Sequence, residues 1–250
     1  MSLDPRLMRA RRRVQDTLER FVSALFVTRV FRSGMAIHPT SILEFPLNTP
    51  IACLGRLEKP MRQICISIDA MVFAIHLFKN GEPPEVGSAP IILRGSFPIF
   101  LATPTGVHLK AAIEESTLPP VEVALIEAAG NAPSVPPSGN MSNFASVTTN
   151  AVSQCFVTFY EAYCPLIREA SGHNRDKWHQ TWQFSRIIRN AITHDKLNIK
   201  DPKHPIISWH HFSYGPESDG KDIIGREIFA PDIIFLMIEM EIALCEIEAL

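Results

Sequence analysis

The stretch Ala132-Pro133-Ser134-Val135-Pro136-Pro137-Ser138-Gly139 constrains this chain more than any other. Residues of this kind carry no apolar periodicity and build no packed core, so they read as a linker over 131–142. Beyond it the pattern becomes orderly. Phe144, Val147, Ala151, Cys155, Phe159, Ala162 and Leu166 recur at three- and four-residue intervals, predicting a helix over about 142–170. Gly172-His173-Asn174 makes a turn, and a second helix is expected over 175–193, presenting Trp178, Trp182, Ile188, Ala191 and Ile192. The run 206–214 is rich in β-branched and aromatic residues. Gly215-Pro216 and Ser218-Asp219-Gly220 then turn the chain, and 222–228 is expected to return as the second strand of a hairpin. Pro231 opens a last helix over 232–248. The expected fold is therefore mainly α: a helical bundle over 143–250 with a β-hairpin before its last helix. A less regular, mixed region of unknown role precedes it over 1–130.

In that N-terminal region, Leu7, Val14, Leu18, Phe21 and Leu25 predict a helix over 4–31. Its arginines (Arg6, Arg9, Arg11, Arg12, Arg13) form either a solvated face or a phosphate-contacting patch. Pro39, Pro46, Pro50 and Pro60 keep regular structure short over 33–60. A buried helix is expected over 61–79, an edge strand or extended loop within 91–101, and short helices over 107–116 and 121–129. Asp69, inside an apolar run, reads as a residue at a turn or exposed edge, with a buried functional acid as the alternative.

A hydrophobic share of 46%, a charged share of 20% and a net charge of −2 fit a globular protein and give no global pull toward nucleic acid or anionic membranes. Five cysteines, with no Cys-x-x-Cys among them, read as reduced thiols of a cytoplasmic protein and not as a disulfide framework or zinc site. No secretory leader is read: the first apolar stretch, 21–27, follows acidic residues and lacks a small-residue cleavage site. The apolar stretch 63–78 is shorter than the ~20 residues a membrane span needs, and it carries Asp69. No membrane partner is expected.

The chemistry concentrates in Arg189-Asn190-Ala191-Ile192-Thr193-His194, near the end of the second helix. Histidine, titrating near neutrality, serves as general acid or base, and an arginine fork stabilises charge growing on phosphate oxygens. Asn190 and His194 are four apart and share a helical face. Arg189 and His194 are five apart, about 140° around an ideal helix. They converge if the arginine bends round, if the helix ends near His194, or if a second chain completes the site. Lys177 and Arg186 are the other cations of this segment and the candidate nucleic-acid contacts. Against them, residues 140–250 carry ten Lys/Arg and fourteen Asp/Glu, a balance of −4. His173, His179, His204, His210 and His211 crowd the region without metal-ligand spacing. Trp178 and Trp182, four apart, serve core packing or base stacking.

The Arg-Asn-x-x-x-His string, closing an aromatic-rich helix, resembles the signature of the HEPN superfamily. The segment Ser208-Trp209-His210-His211-Phe212-Ser213-Tyr214-Gly215-Pro216, followed by an acidic-apolar helix, resembles the C-terminal part of an uncharacterised bacterial branch of it. The resemblance covers residues 143–250. It implies a symmetric homodimer whose motif helices face one cleft, and metal-independent RNA cleavage leaving a 2′,3′-cyclic phosphate. In that reading His194 is general acid/base, Arg189 stabilises the phosphorane and Asn190 positions. Members without the chemistry imply the alternative, a non-catalytic dimerisation or binding module. There Arg189 serves structure, satisfying helix C-terminal carbonyls or pairing with Asp195 or a glutamate of the last helix. The expected partners are a second copy, RNA and a cognate protein, with no cofactor and no metal.

Overall fold

The computed structural model describes residues 39–46, 55–86, 90–96, 99–104, 106–114, 122–128 and 143–248. The expected helix over 4–31 and the linker over 131–142 lie outside them. The described chain is mainly helical, and a two-stranded antiparallel hairpin precedes the last helix as expected.

In chain order the elements are β1 (Pro39–Pro46), α1 (Gly55–Asn80), β2 (Pro90–Arg94), β3 (Ile99–Pro104), α2 (Val107–Ile113), β4 (Glu122–Ala128), α3 (Asn143–Ser171), α4 (Gln180–His194), β5 (Ile207–Trp209), β6 (Phe212–Tyr214) and α5 (Ala230–Glu248). The first four strands form one antiparallel sheet in the order β1-β4-β3-β2.

Several expectations are corrected. The segment expected as a helix over 121–129 is strand β4, hydrogen-bonded between β1 and β3, because two waiting strand edges outweigh local propensity. The single extended run expected within 91–101 is a hairpin: Gly95-Ser96 follow β2, and Arg94 pairs with Phe100 of β3. The helix expected after Pro60 begins at Gly55 and runs through that proline, which leaves only the Arg56 carbonyl without its backbone donor. The C-terminal hairpin closes within 207–214, with His210 at φ 51° in the turn. Residues 222–228 hold one isolated bridge, Ile224 to Ile228, where a return strand was expected.

Helix α5 is apolar nearly all round and is accordingly the buried centre. Ile233, Ile234, Met237, Met240 and Leu244 are fully enclosed, with α1, α3 and α4 packed about them. From α1, Leu57, Met61, Ile64, Cys65 and Ile68 enter the same core at helical spacing. The core therefore crosses the expected division between 1–130 and 143–250. By length and apolar composition alone, Gly55–Leu77 would suffice to cross a membrane; its first half is spent in this core, whereas Ile75 and Leu77 are exposed.

Asp69 is neither at a turn nor at an exposed edge. It is fully buried on α1 and accepts the backbone N–H groups of Gly106 (2.9 Å), His108 (3.2 Å) and Leu109 (3.3 Å), capping α2 from a neighbouring helix.

Candidate functional site

Helix α4 carries the motif, and its start differs from expectation. Residues Arg175–Lys177 form a single 3-10 turn capped by the Asn174 side chain, which accepts from the Asp176 amide. Trp178 is extended and buried, its indole N–H on the Gly172 carbonyl. His179 then caps α4, its Nδ1 accepting from the Thr181 amide at 3.3 Å. Trp178 and Trp182 thus do not share a helix, and both are core residues.

Aromatic packing fixes the helix. Trp182 is fully buried and donates to the Met240 carbonyl on α5 at 3.1 Å. Phe184 stacks between Trp209 (centroids 5.2 Å apart) and Tyr214 (5.7 Å) of the hairpin. With Ile187, Ile188 and Ala191 also buried, the polar residues of α4 project from a rigid support.

Arg189 is half-buried. Its Nε donates to Glu161 Oε1 on α3 at 2.6 Å and its Nη1 to Asn190 Oδ1 at 3.3 Å. The expected structural partners, Asp195 or a glutamate of the last helix, are replaced by Glu161, because α3 is the element packed beside this face of α4. His194, at the helix end, is exposed and makes no side-chain hydrogen bond or ion pair among the described residues. Asp195 follows in the left-handed region at φ 58° and ends the helix. Asn190 is joined to Arg189 and not to His194, and no hydrogen bond joins Arg189 to His194. Within one chain the motif therefore presents a guanidinium held in place and an imidazole free in solvent. Lys177 is exposed in the 3-10 turn.

Arg186 lies one turn earlier. It lines a cleft of about 210 Å³ with Asn190, Asn198, Lys200, Asp201 and His204. Burial, and secondarily the like charge of Arg175, pushes its pKa down. Its Nη2 donates to His204 Nε2 at 2.8 Å. Sequence reasoning missed both this cleft and the Arg189–Glu161 pair. His204 was visible only as one of several histidines, and nothing local ties it to Arg186, 18 residues away.

Elsewhere, His210 Nε2 meets Glu239 Oε1 at 2.7 Å and the ring stacks on Phe235. Among the described residues no group of three or more His, Cys, Asp or Glu is placed to hold a metal ion, and no disulfide joins Cys65, Cys155, Cys164 or Cys245. In comparisons with known proteins, no family model, no curated protein and no solved structure matches the chain.

Proposed function

We propose that the chain is a HEPN-type protein that cleaves RNA without a metal, at a site built from two copies. The observation that carries this reading is the state of the motif. Glu161 and Asn190 hold Arg189 in place beside the motif face, while His194 is exposed at the helix end with no partner among the described residues. A guanidinium with a fixed direction is preorganised for charge that develops in the transition state. An imidazole with no partner among the described residues is available for proton transfer. A two-fold arrangement, the commonest in soluble assemblies, would bring His194 of one copy toward Arg189 of the other.

In this mechanism the RNA 2′-oxygen attacks the adjacent phosphorus while an imidazole takes its proton. The bond from phosphorus to the 5′-oxygen breaks, and the 5′-oxygen receives a proton from an imidazole. The products are a 2′,3′-cyclic phosphate and a 5′-hydroxyl. Arg189 stabilises the phosphorane oxygens and Asn190 positions them.

The test is incubation of the full chain with RNA in excess EDTA, followed by end-group analysis. His194→Ala is expected to lower the rate by about 10²–10⁴-fold, the range of general acid–base help. No cleavage, or cleavage unaffected by that substitution, rejects the catalytic reading.

One observation favours a second reading, a non-catalytic dimerisation or binding module: the Glu161 carboxylate already neutralises Arg189. A stable dimer by light scattering with no cleavage would support it.

A further inference from the structure

The cleft beside Arg186 has the make-up of an anion site. The Nε of Arg186 is buried with no hydrogen-bond partner among the described residues, and its Nη2 faces a ring nitrogen, not a carboxylate. An arginine only donates and a carbonyl only accepts. Arg186 Nη2 therefore donates to His204 Nε2, and the Pro205 carbonyl lies 2.7 Å from His204 Nδ1 on the other side of the ring. His204 orients the guanidinium and brings no negative charge to it. Among the described residues no carboxylate is hydrogen-bonded to this guanidinium, and Asp176 acts on it only through space; a bound anion would give the partly buried cation a direct counter-charge.

The surroundings fit. The cleft wall from 198 to 204 is held by the Ile199 amide on Asp219 Oδ1 (2.7 Å), the Gly220 amide on the Leu197 carbonyl and the His204 amide on the Asp201 carbonyl. Asp201 is the one carboxylate lining the cleft, and its Oδ1 already accepts from the Lys203 amide at 2.9 Å. Against it stand Arg186 and Lys200, leaving a net positive lining, with the Asn190 and Asn198 amides as further donors. A volume of about 210 Å³ holds roughly seven waters at ~30 Å³ each, room for a phosphate and part of what carries it. Arginine's planar fork matches phosphate oxygens bidentately.

We propose that this cleft binds a phosphomonoester, free or carried on a nucleotide, between Arg186, Lys200 and the two asparagine amides. The cleft shares Asn190 with the proposed cleavage site, but Arg186, Lys200 and Asn198 carry the inference, which holds whether or not the chain cuts RNA. Its test is calorimetric titration of the full chain, at constant ionic strength, with inorganic phosphate, AMP and adenosine.

Phosphate and AMP are expected to bind and adenosine to give no heat. Equal affinities would identify the free anion as the source, and tighter AMP binding a nucleotide. Arg186→Gln is expected to weaken binding by more than about tenfold, and Lys200→Gln, an exposed position less demanding of the fold, severalfold. His194→Ala, outside the cleft, is expected to leave binding unchanged even where it abolishes cleavage, so the two readings fail separately. The proposal is overturned if phosphate and AMP give no heat up to about 10 mM, or if adenosine binds as well as AMP. It is equally overturned if Lys200→Gln, and Arg186→Gln where folded, leave affinity unchanged.

Discussion

At the scale of single residues, Glu241 carries the clearest electrostatic consequence. It has no exposed surface, and Arg56 of α1 reaches it with Nη1 at 3.2 Å while also pairing with Glu248. Burial pushes its carboxyl from an ordinary 4.5 up to about 7; the attraction of Arg56, divided between two glutamates, recovers only part of the desolvation cost. The folded state thus holds this proton more tightly than the unfolded chain. The stability it contributes is fully present below about 4.5 and is lost as pH rises through about 7. Urea midpoints are expected to fall across that window, and Glu241→Gln, which cannot ionise, should flatten the fall. An unchanged slope in the variant would assign the pH dependence elsewhere. Nothing in the sequence marked Glu241 apart from the other glutamates of the last helix, because its partner lies 185 positions away.

At the scale of elements, Asp69 shows how one helix depends on another. Helix α2 has seven residues, and Gly106 at its start offers no side-chain cap. The three N–H groups that would stay unpaired there point at the Asp69 carboxylate. Asp69→Ala is expected to cost about 2 kcal/mol in chemical denaturation, the upper end for a lost cap, since the freed groups are partly buried. A cost under about 0.5 kcal/mol would show that water replaces the carboxylate. The helices α3 and α4 were legible because their apolar residues repeat at the helical period, and α5, apolar nearly all round, was legible from Pro231 at its start. The strand β4 was not: Val123, Ala124, Leu125 and Ile126 run continuously apolar, a pattern that helix and strand share, and β1 and β3 decide it by hydrogen bonding.

At the scale of the molecule, the sheet meets the helices where β2 ends. The Ser96 amide donates to both carboxylate oxygens of Asp232 (3.0 and 3.1 Å), which also accepts the Phe229 amide at 2.8 Å in the first turn of α5. Gly95 makes this approach feasible, since a Cβ there would lie 2.5 Å from Asp232 Oδ1. Gly95→Ala is therefore expected to destabilise by about 1–3 kcal/mol, the range for overpacking. Hydrogen exchange should report the loss first in β2 and in the first turn of α5. Uniform loss of protection across the chain would show that sheet and helices unfold as one unit.

The sequence by itself determined the mainly helical character of 143–248 and the presence of a hairpin before the last helix, because helical periodicity and strand composition are local; it did not place that hairpin's turn, which lies at His210 and not at 215–220. Only the tertiary structure decided that α1 joins the same core, that Asp69 caps α2, that Asp232 takes the Ser96 amide at the end of β2, and that Arg189 meets Glu161 while Arg186 meets His204. Those outcomes depend on which surfaces lie opposite one another, and a charge or amide finds its partner across a distance that local pattern does not encode.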